Sequence, residues 1–413
     1  MTILLLADVS AALVIGGAER MLRQQALGLA ARGHQVHLVT RAPEGDARPF
    51  VKIGPVQEHR FAVSRSNELS FILSSVQRSV ECFDRTARLA RPDLVIVYQS
   101  TAGIGPLLRR ADVPQAWIYM CLSLAHEEFV SRAPQADGPA QQFRHTANRH
   151  ARFLVEDYVM NRCAQVVVMS EFMKTRVMGT HRIPPDRIAL IPGAADHEQF
   201  QPPEDRVQVR RELDLPLDRT ILFTLRNLVP RMGLEHLIDS VSLLEEEGRD
   251  LLLLIGGEGP LRQALHDRIV QRHLADRVRL LGFVPEAQLC RYYQCADLVV
   301  MPTLELEGFG LVTVEALAAG TPVLGTPVGA LPEVLRRIDP SLVTDGPLAP
   351  DLADGLGRLL RRFRELPGEQ ERLASKGRRL IEQEWNWPRQ IDALASLLAE
   401  HGGSVCAADR RAA

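Results

Sequence analysis

Met301-Pro302-Thr303-Leu304-Glu305-Leu306-Glu307-Gly308-Phe309-Gly310-Leu311-Val312-Thr313-Val314-Glu315-Ala316-Leu317-Ala318-Ala319-Gly320 leaves a buried strand, turns through glycines and opens a helix. Residues 298–301 read as the end of a parallel strand. The helix that begins near Gly310 directs its unpaired first-turn N–H groups beyond that strand's carboxyl end, a place shaped to hold an anion. Glu307 and Glu315 bracket the turn. A carboxylate repels phosphate but accepts hydrogen bonds from hydroxyls. Two glutamates flanking an anion-binding helix start therefore predict a ligand with both phosphates and sugar hydroxyls, a nucleotide sugar.

Outward from that turn, short apolar runs alternate with helical patterns. They fall at 3–7, 36–40, 94–98, 116–120, 166–169 and 188–191, then at 220–225, 251–255, 278–281, 298–301, 322–324 and 341–344. Such runs, set between amphipathic segments like 18–32, which ends at Gly33, predict buried parallel strands joined by crossover helices. A chain of 413 residues exceeds what one hydrophobic core serves, so two doubly wound α/β domains are expected. Gln201-Pro202-Pro203-Glu204-Asp205 reads as their linker. The last part of the chain, from about 367 to 400, is helical and amphipathic, with a break at Trp385-Asn386-Trp387-Pro388; the small polar residues of 402–413 predict a disordered tail.

Composition narrows the function. The formal charge of −2 gives no global attraction to nucleic acid. Six cysteines (Cys82, Cys121, Cys163, Cys290, Cys295 and Cys406) lack Cys-x-x-Cys spacing, and the first residues lack a basic leader, which predicts a reduced, cytoplasmic protein. No apolar run approaches the roughly 20 residues needed to cross a bilayer, so membrane contact is expected to be peripheral at most, at the inner face. Asp-x-Asp is absent, and cysteine and histidine spacings make no zinc site. The glycines Gly16 and Gly17 are not a Gly-x-Gly-x-x-Gly fingerprint, which argues against a dinucleotide cofactor.

The stretch from Glu307 to Glu315 resembles the Glu-x7-Glu element of retaining glycosyltransferases of family 4. Further segments agree in order: Gly16-Gly17-Ala18-Glu19-Arg20, Ser170-Glu171-Phe172-Met173, Arg226-Asn227-Leu228-Val229-Pro230-Arg231, Gly256-Gly257-Glu258-Gly259-Pro260 and Gly282-Phe283-Val284-Pro285. The resemblance implies the GT-B fold, two facing Rossmann-like doubly wound domains. It assigns residues 1–200 to an acceptor-binding domain and 206–384 to a nucleotide-sugar-binding domain, with a helix at 385–401 crossing back to the first. The activity implied is transfer of a sugar from a UDP- or GDP-linked donor to an acceptor hydroxyl, with retained configuration and no metal. A glycan, a lipid-linked glycan and a small molecule all remain open as acceptor.

Residue roles follow from that likeness. Arg226, after the strand at 220–225, is the expected clamp on the diphosphate, since a guanidinium offsets the charge that builds on the leaving group. Family members carry a phosphate-binding lysine six positions later. Here Met232 stands there, and Arg231 is either its substitute or a solvated residue. The likeness places Glu307 by the donor sugar's hydroxyls and Glu315 on the ribose. It lines the phosphates and sugar with Gly308 and the amides of Phe309, Gly310, Leu311 and Val312, and sets Val284 beside the base. Gly16 and Gly17 let backbone approach the donor closely, or else form a flexible loop. The family's sugar-facing histidine falls nearer Leu122; either His126 takes that role from a shifted loop or it is an ordinary solvated histidine. The basic helical stretch Arg144, His145, Arg149, His150 and Arg152 is either a solvated face or one that meets an anionic acceptor or lipid. Two rival readings are a GT-B hydrolase or epimerase of nucleotide sugars and a non-catalytic nucleotide-sugar-binding protein.

Overall fold

The structure is a computed structural model, and it describes residues 1–14, 16–46, 48–109, 116–132, 138–244 and 250–409. The chain forms two compact units. One comprises Met1–Val130, Pro134–Pro192 and Trp387–Ala413, the other Ser131–Ala133 and Gly193–Asn386.

The first unit runs β1 (Thr2–Ala7), α1 (Gly17–Ala31), β2 (Gln35–Arg41), β3 (Phe50–Ile53), β4 (Val56–Phe61), α2 (Glu68–Ala90), β5 (Leu94–Val97), α3 (Ser100–Leu108), β6 (Ala116–Cys121), α4 (Ala125–Arg132), α5 (Pro139–Arg162), β7 (Gln165–Val168), α6 (Glu171–His181) and β8 (Ile188–Leu190). Its eight strands lie in the order β3-β4-β2-β1-β5-β6-β7-β8. The central strands are apolar throughout because helices cover both faces, and Leu4, Val95, Trp117 and Val166 meet in one core. Pairing is parallel except between β3 and β4, an antiparallel hairpin that the sequence reading does not anticipate. Strand β4 carries Glu58 and Arg60, which reads as surface, yet both are buried because they pair with each other at 2.8 Å. Glu58 also accepts from the amide of Ala11 at 2.8 Å and the hydroxyl of Thr40 at 3.0 Å, so every charge in this hydrophobic setting has a partner.

The second unit runs α7 (Arg206–Glu212), β9 (Thr220–Leu225), α8 (Leu234–Leu243), β10 (Leu251–Gly256), α9 (Arg262–Gln271), β11 (Val278–Gly282), α10 (Glu286–Cys295), β12 (Leu298–Met301), α11 (Leu311–Ala318), β13 (Val323–Gly325), α12 (Leu331–Leu335), α13 (Ala349–Glu365) and α14 (Glu369–Gln383). Its sheet order is β11-β10-β9-β12-β13, parallel throughout, with the reversal of order between β9 and β12. Ligands of open α/β sheets sit beyond the strand ends at that reversal, and Arg226 and the turn after Met301 lie there. The strand expected at 341–344 is instead a 3-10 turn, Pro340–Leu342, followed by a single bridge from Val343 to Gly325.

The boundary also differs from the proline-bearing linker. The chain leaves the first unit at Pro192, to return at Trp387, and 193–205 belongs to the second. There the carbonyl of Gln201 accepts from Gln294 Nε2 at 2.7 Å and that of His197 from Arg378 Nη2 at 2.8 Å, so α10 and α14 hold this segment. The last helix, α15 (Trp387–Asp409), belongs to the first unit, where it packs on α1. Arg32 bonds the Pro388 carbonyl at 2.8 Å and Asp392 at 2.6 Å. The tail expected to be disordered is helical to Asp409, with Gly402 buried against Met1; 410–413 lie outside the described residues. No helix among the described residues is long and apolar enough to cross a membrane.

Candidate active site

Two loops at the β9/β12 reversal build the site. The first leaves β9 at Arg226, whose amide bonds the Gly256 carbonyl at 3.0 Å. Gly257 makes this approach possible: at φ +124° its own Cβ would stand 1.9 Å from the Arg226 carbonyl oxygen. The second loop leaves β12 and returns through Glu307 to Gly310, the residue that starts α11. Gly329 supports it, because a Cβ there would lie 2.2 Å from the Glu307 carbonyl oxygen. Across the loops the buried Arg226 guanidinium donates to both Thr303 Oγ1 and the Glu307 carboxylate, and Thr303 donates to the same Glu307 oxygen at 3.1 Å. Arg226 Nε is buried without a hydrogen-bond partner, as is Thr313 Oγ1 in the first turn of α11. The amides of Leu311 and Val312 precede the first turn-closing bond, from Thr313 to the Gly310 carbonyl at 2.9 Å. Unpartnered donors thus gather at one helix start, a setting suited to a polyanion.

The remaining residues of this unit take distinct places. Glu315 is 1 % exposed and accepts from the Tyr293 hydroxyl at 2.9 Å, so it is not a helix-surface residue. Phe309 is buried edge-on to Trp385. Gly308 lies in the turn before α11, and Val284 is buried just past β11. Met232, at the position of the family's lysine, is buried and supplies no charge. Arg231 turns Nη1 to the Leu306 carbonyl at 3.0 Å while its own carbonyl accepts from Leu304 N at 2.8 Å, so it braces the Glu307 loop.

In the first unit Gly16 caps α1 and its amide bonds the Glu19 carboxylate at 3.0 Å, leaving Gly17 as the first helical residue; Ile15 lies outside the described residues. Asp8, at the end of β1, is raised above the usual carboxylate range by burial, against the opposing pull of Arg41, Thr101 and Arg152. His126 is not solvated. It is 4 % exposed in the first turn of α4, with Nδ1 2.7 Å from Glu156 Oε2. Burial raises Glu156, but the hydrogen bonds with His126 and the Ala125 amide, together with the neighbouring His181, outweigh that and hold its carboxyl below the ordinary range. Burial likewise lowers His181, and Glu156 and Asp157 more than reverse it.

The model of the family described as Glycosyl transferases group 1 matches residues 205–380, and that of Glycosyltransferase Family 4 matches residues 15–199. The chain belongs to the group 1 glycosyltransferases. A D-inositol 3-phosphate glycosyltransferase of Corynebacterium glutamicum is 27 % identical over 361 residues, 84 % of this chain and 83 % of the relative. Among solved structures, sucrose-phosphate synthase from Thermosynechococcus elongatus superposes with a TM-score of 0.82 at 22 % identity, covering 97 % of this chain and 98 % of the other. Anabaena HepE in complex with UDP and glucose does so at 0.73 and 18 %, covering 97 % and 100 %. These likenesses fix the GT-B fold.

In this glycosyltransferase the structure joins Arg226 to Glu307, which sequence reasoning treats separately, and adds Thr303 and Tyr293. Neither addition carries a spacing signal. Thr303 is legible only as a polar residue just past the strand end in the quoted stretch, and Tyr293 only as an aromatic on the neighbouring helix.

Proposed function

We propose that this glycosyltransferase moves a hexosyl-type group from a UDP- or GDP-linked sugar to an acceptor hydroxyl with retained anomeric configuration and without a metal ion in the transfer step. The observation that carries the reading is the Arg226 guanidinium, buried beside the start of α11 with Nε unpartnered. In this reading Arg226 and the amides of Leu311 and Val312 take the diphosphate and the negative charge that grows on it as the glycosidic bond breaks. Glu307 exchanges Arg226 for a sugar hydroxyl and orients the ring, and Glu315 accepts from the ribose. Val284 borders the base. A donor phosphate oxygen takes the acceptor's proton on the same face, because no carboxylate of the site is assigned as nucleophile.

The UDP and glucose bound to Anabaena HepE support a donor of this class. The acceptor is a glycan, a lipid-linked glycan or a small molecule, and the first relative's D-inositol 3-phosphate belongs to the last group. The reading places transfer at the cytoplasmic side, with at most peripheral contact with the inner membrane face; no helix among the described residues is long and apolar enough to cross a bilayer.

Calorimetric titration with UDP, GDP and ADP tests the donor assignment. One nucleotide should bind selectively. Arg226→Ala should weaken it by about 10- to 100-fold, the loss of a charge-assisted hydrogen bond worth about 1.5–3 kcal/mol; Glu315→Ala should also weaken it. No binding by folded wild-type protein overturns the donor site. Buried Met232 favours one second reading, a donor-binding protein without turnover; binding with no released nucleoside diphosphate across an acceptor panel would establish it.

A further inference from the structure

Apart from the donor site, the chain gathers His126, Glu156 and His181 from three helices of the first unit, α4, α5 and α6. All three are buried, and one ligand atom of each lies within 4.8 Å of the others. Their positions are far apart in the sequence, so no short spacing announces them. We propose that they form a site for a divalent transition metal such as Zn²⁺, which ties α4, α5 and α6 together.

His181 shows which nitrogen is free to ligate. Its Nδ1 is 3.1 Å from Asp157 Oδ1, and in the neutral ring the proton sits there. Nε2 then presents a lone pair to Glu156 Oε2 at 3.3 Å, and this buried nitrogen takes no hydrogen bond. His126 Nδ1 is 2.7 Å from the same oxygen. Two imidazole nitrogens therefore converge on one carboxylate oxygen with a single proton placed between the three. A cation at their centre satisfies all three lone pairs.

The donor set of two imidazoles and a carboxylate suits Zn²⁺ and its neighbours rather than Mg²⁺ or Ca²⁺. Tetrahedral bonds of about 2.0–2.2 Å set donor atoms roughly 3.3–3.5 Å apart. The 3.3 Å between His181 and Glu156 meets that value, and the His126 hydrogen bond opens by about half an ångström when its proton leaves. An outer shell is already in place. Asp157 orients His181, and the Ala125 amide holds the other Glu156 oxygen at 2.8 Å. Phe153 lies flat against His181 and edge-on to His126, walling the site with an aromatic ring. The three ligands leave a fourth position for water. The site's ligands belong to the first unit and the donor residues to the second, so the metal titration and the nucleotide titration succeed or fail independently.

The test uses full-length protein stripped by a chelator and titrated with Zn²⁺ and, separately, Co²⁺. The expected result is one equivalent bound per chain, visible d–d absorption from the Co²⁺ form, proton release on binding and a higher melting temperature with metal. His181→Gln should abolish the Co²⁺ spectrum. Asp157→Asn, at a half-buried position that leaves all three ligands in place, should weaken binding by about 10- to 100-fold. Wild-type protein that is folded by circular dichroism yet gives no Co²⁺ spectrum and no metal-dependent melting shift overturns the proposal, leaving Glu156 between a hydrogen-bonded His126 and a protonated His181. An unchanged Co²⁺ spectrum in folded His181→Gln overturns it as well.

Discussion

Glu307 pairs with Arg226, so a diphosphate must compete with a carboxylate for the same guanidinium. The pair is nearly buried, with side-chain exposures of 6 % and 12 %, so exchanging one anion for another costs less than leaving Arg226 unpaired. Glu307→Gln removes the competing charge while keeping the shape. It should bind nucleoside diphosphate as well as wild type or up to roughly tenfold better, while the transfer rate falls by about 10²–10³, the scale of losing one preorganised polar contact in a transition state. Calorimetry with the selected nucleotide and initial rates on the same preparation check both halves. Weaker nucleotide binding in the variant would mean that Glu307 supports Arg226 rather than restraining it. Site residues at strand ends were legible in the sequence because each follows an apolar run and changes the chemistry abruptly. Their contacts were not. Arg226 and Glu307 lie on loops after different strands, and only the strand order, with β9 beside β12, makes them neighbours.

At the scale of elements, apolar runs marked every central strand, whereas the β3–β4 hairpin escaped because its sequence looks solvated. Gln57, Glu58, His59 and Arg60 follow one another in β4. Burial is nonetheless possible there, since Glu58 and Arg60 neutralise each other and His59 stacks on His37 of β2 at 5.7 Å. The opposite error at 341–344 has the same origin, for a short apolar run also suits a buried turn, and Leu342 is fully buried in one. The histidine pair carries a pH consequence. Burial lowers His59 from 6.5 to about 4, with His37 and Arg85 adding to it, and burial lowers His37 too. The unfolded chain binds a proton at His59 below about pH 6.5 that the folded chain refuses until about pH 4, and the lowered His37 acts in the same direction. Stability is therefore undiminished above that upper value and falls as the pH drops through this window. Melting temperature measured from pH 7.5 to 4.5 should decline, and His59→Gln should decline less steeply than wild type. Parallel curves would show that the rings titrate alike in both states.

For the whole molecule, length and the doubled strand series made two units legible, but not which residues complete each. The first unit is finished by the chain's last helix. Ile391, Leu394 and Leu398 of α15 are buried, and Arg32 is bound to the helix start. Burying such side chains contributes about 1.5–3 kcal/mol each, so the sheet at the front of the chain depends on a segment made after the whole second unit. The donor residues Arg226, Glu307 and Glu315, by contrast, all lie in the second unit. Ending the chain at Asn386 should therefore separate the two. In calorimetric melts the truncated protein should lose the transition of the first unit, or show it at markedly lower temperature, while still binding the nucleotide. At a nucleotide concentration of about 100 Kd the second-unit transition should gain about 2.7 kcal/mol in both full-length and truncated protein, and the roughly 10- to 100-fold weakening by Arg226→Ala should cut that gain to about 0.4–1.4 kcal/mol. Loss of nucleotide binding on truncation alone would show instead that the second unit cannot hold its site without the returning helix.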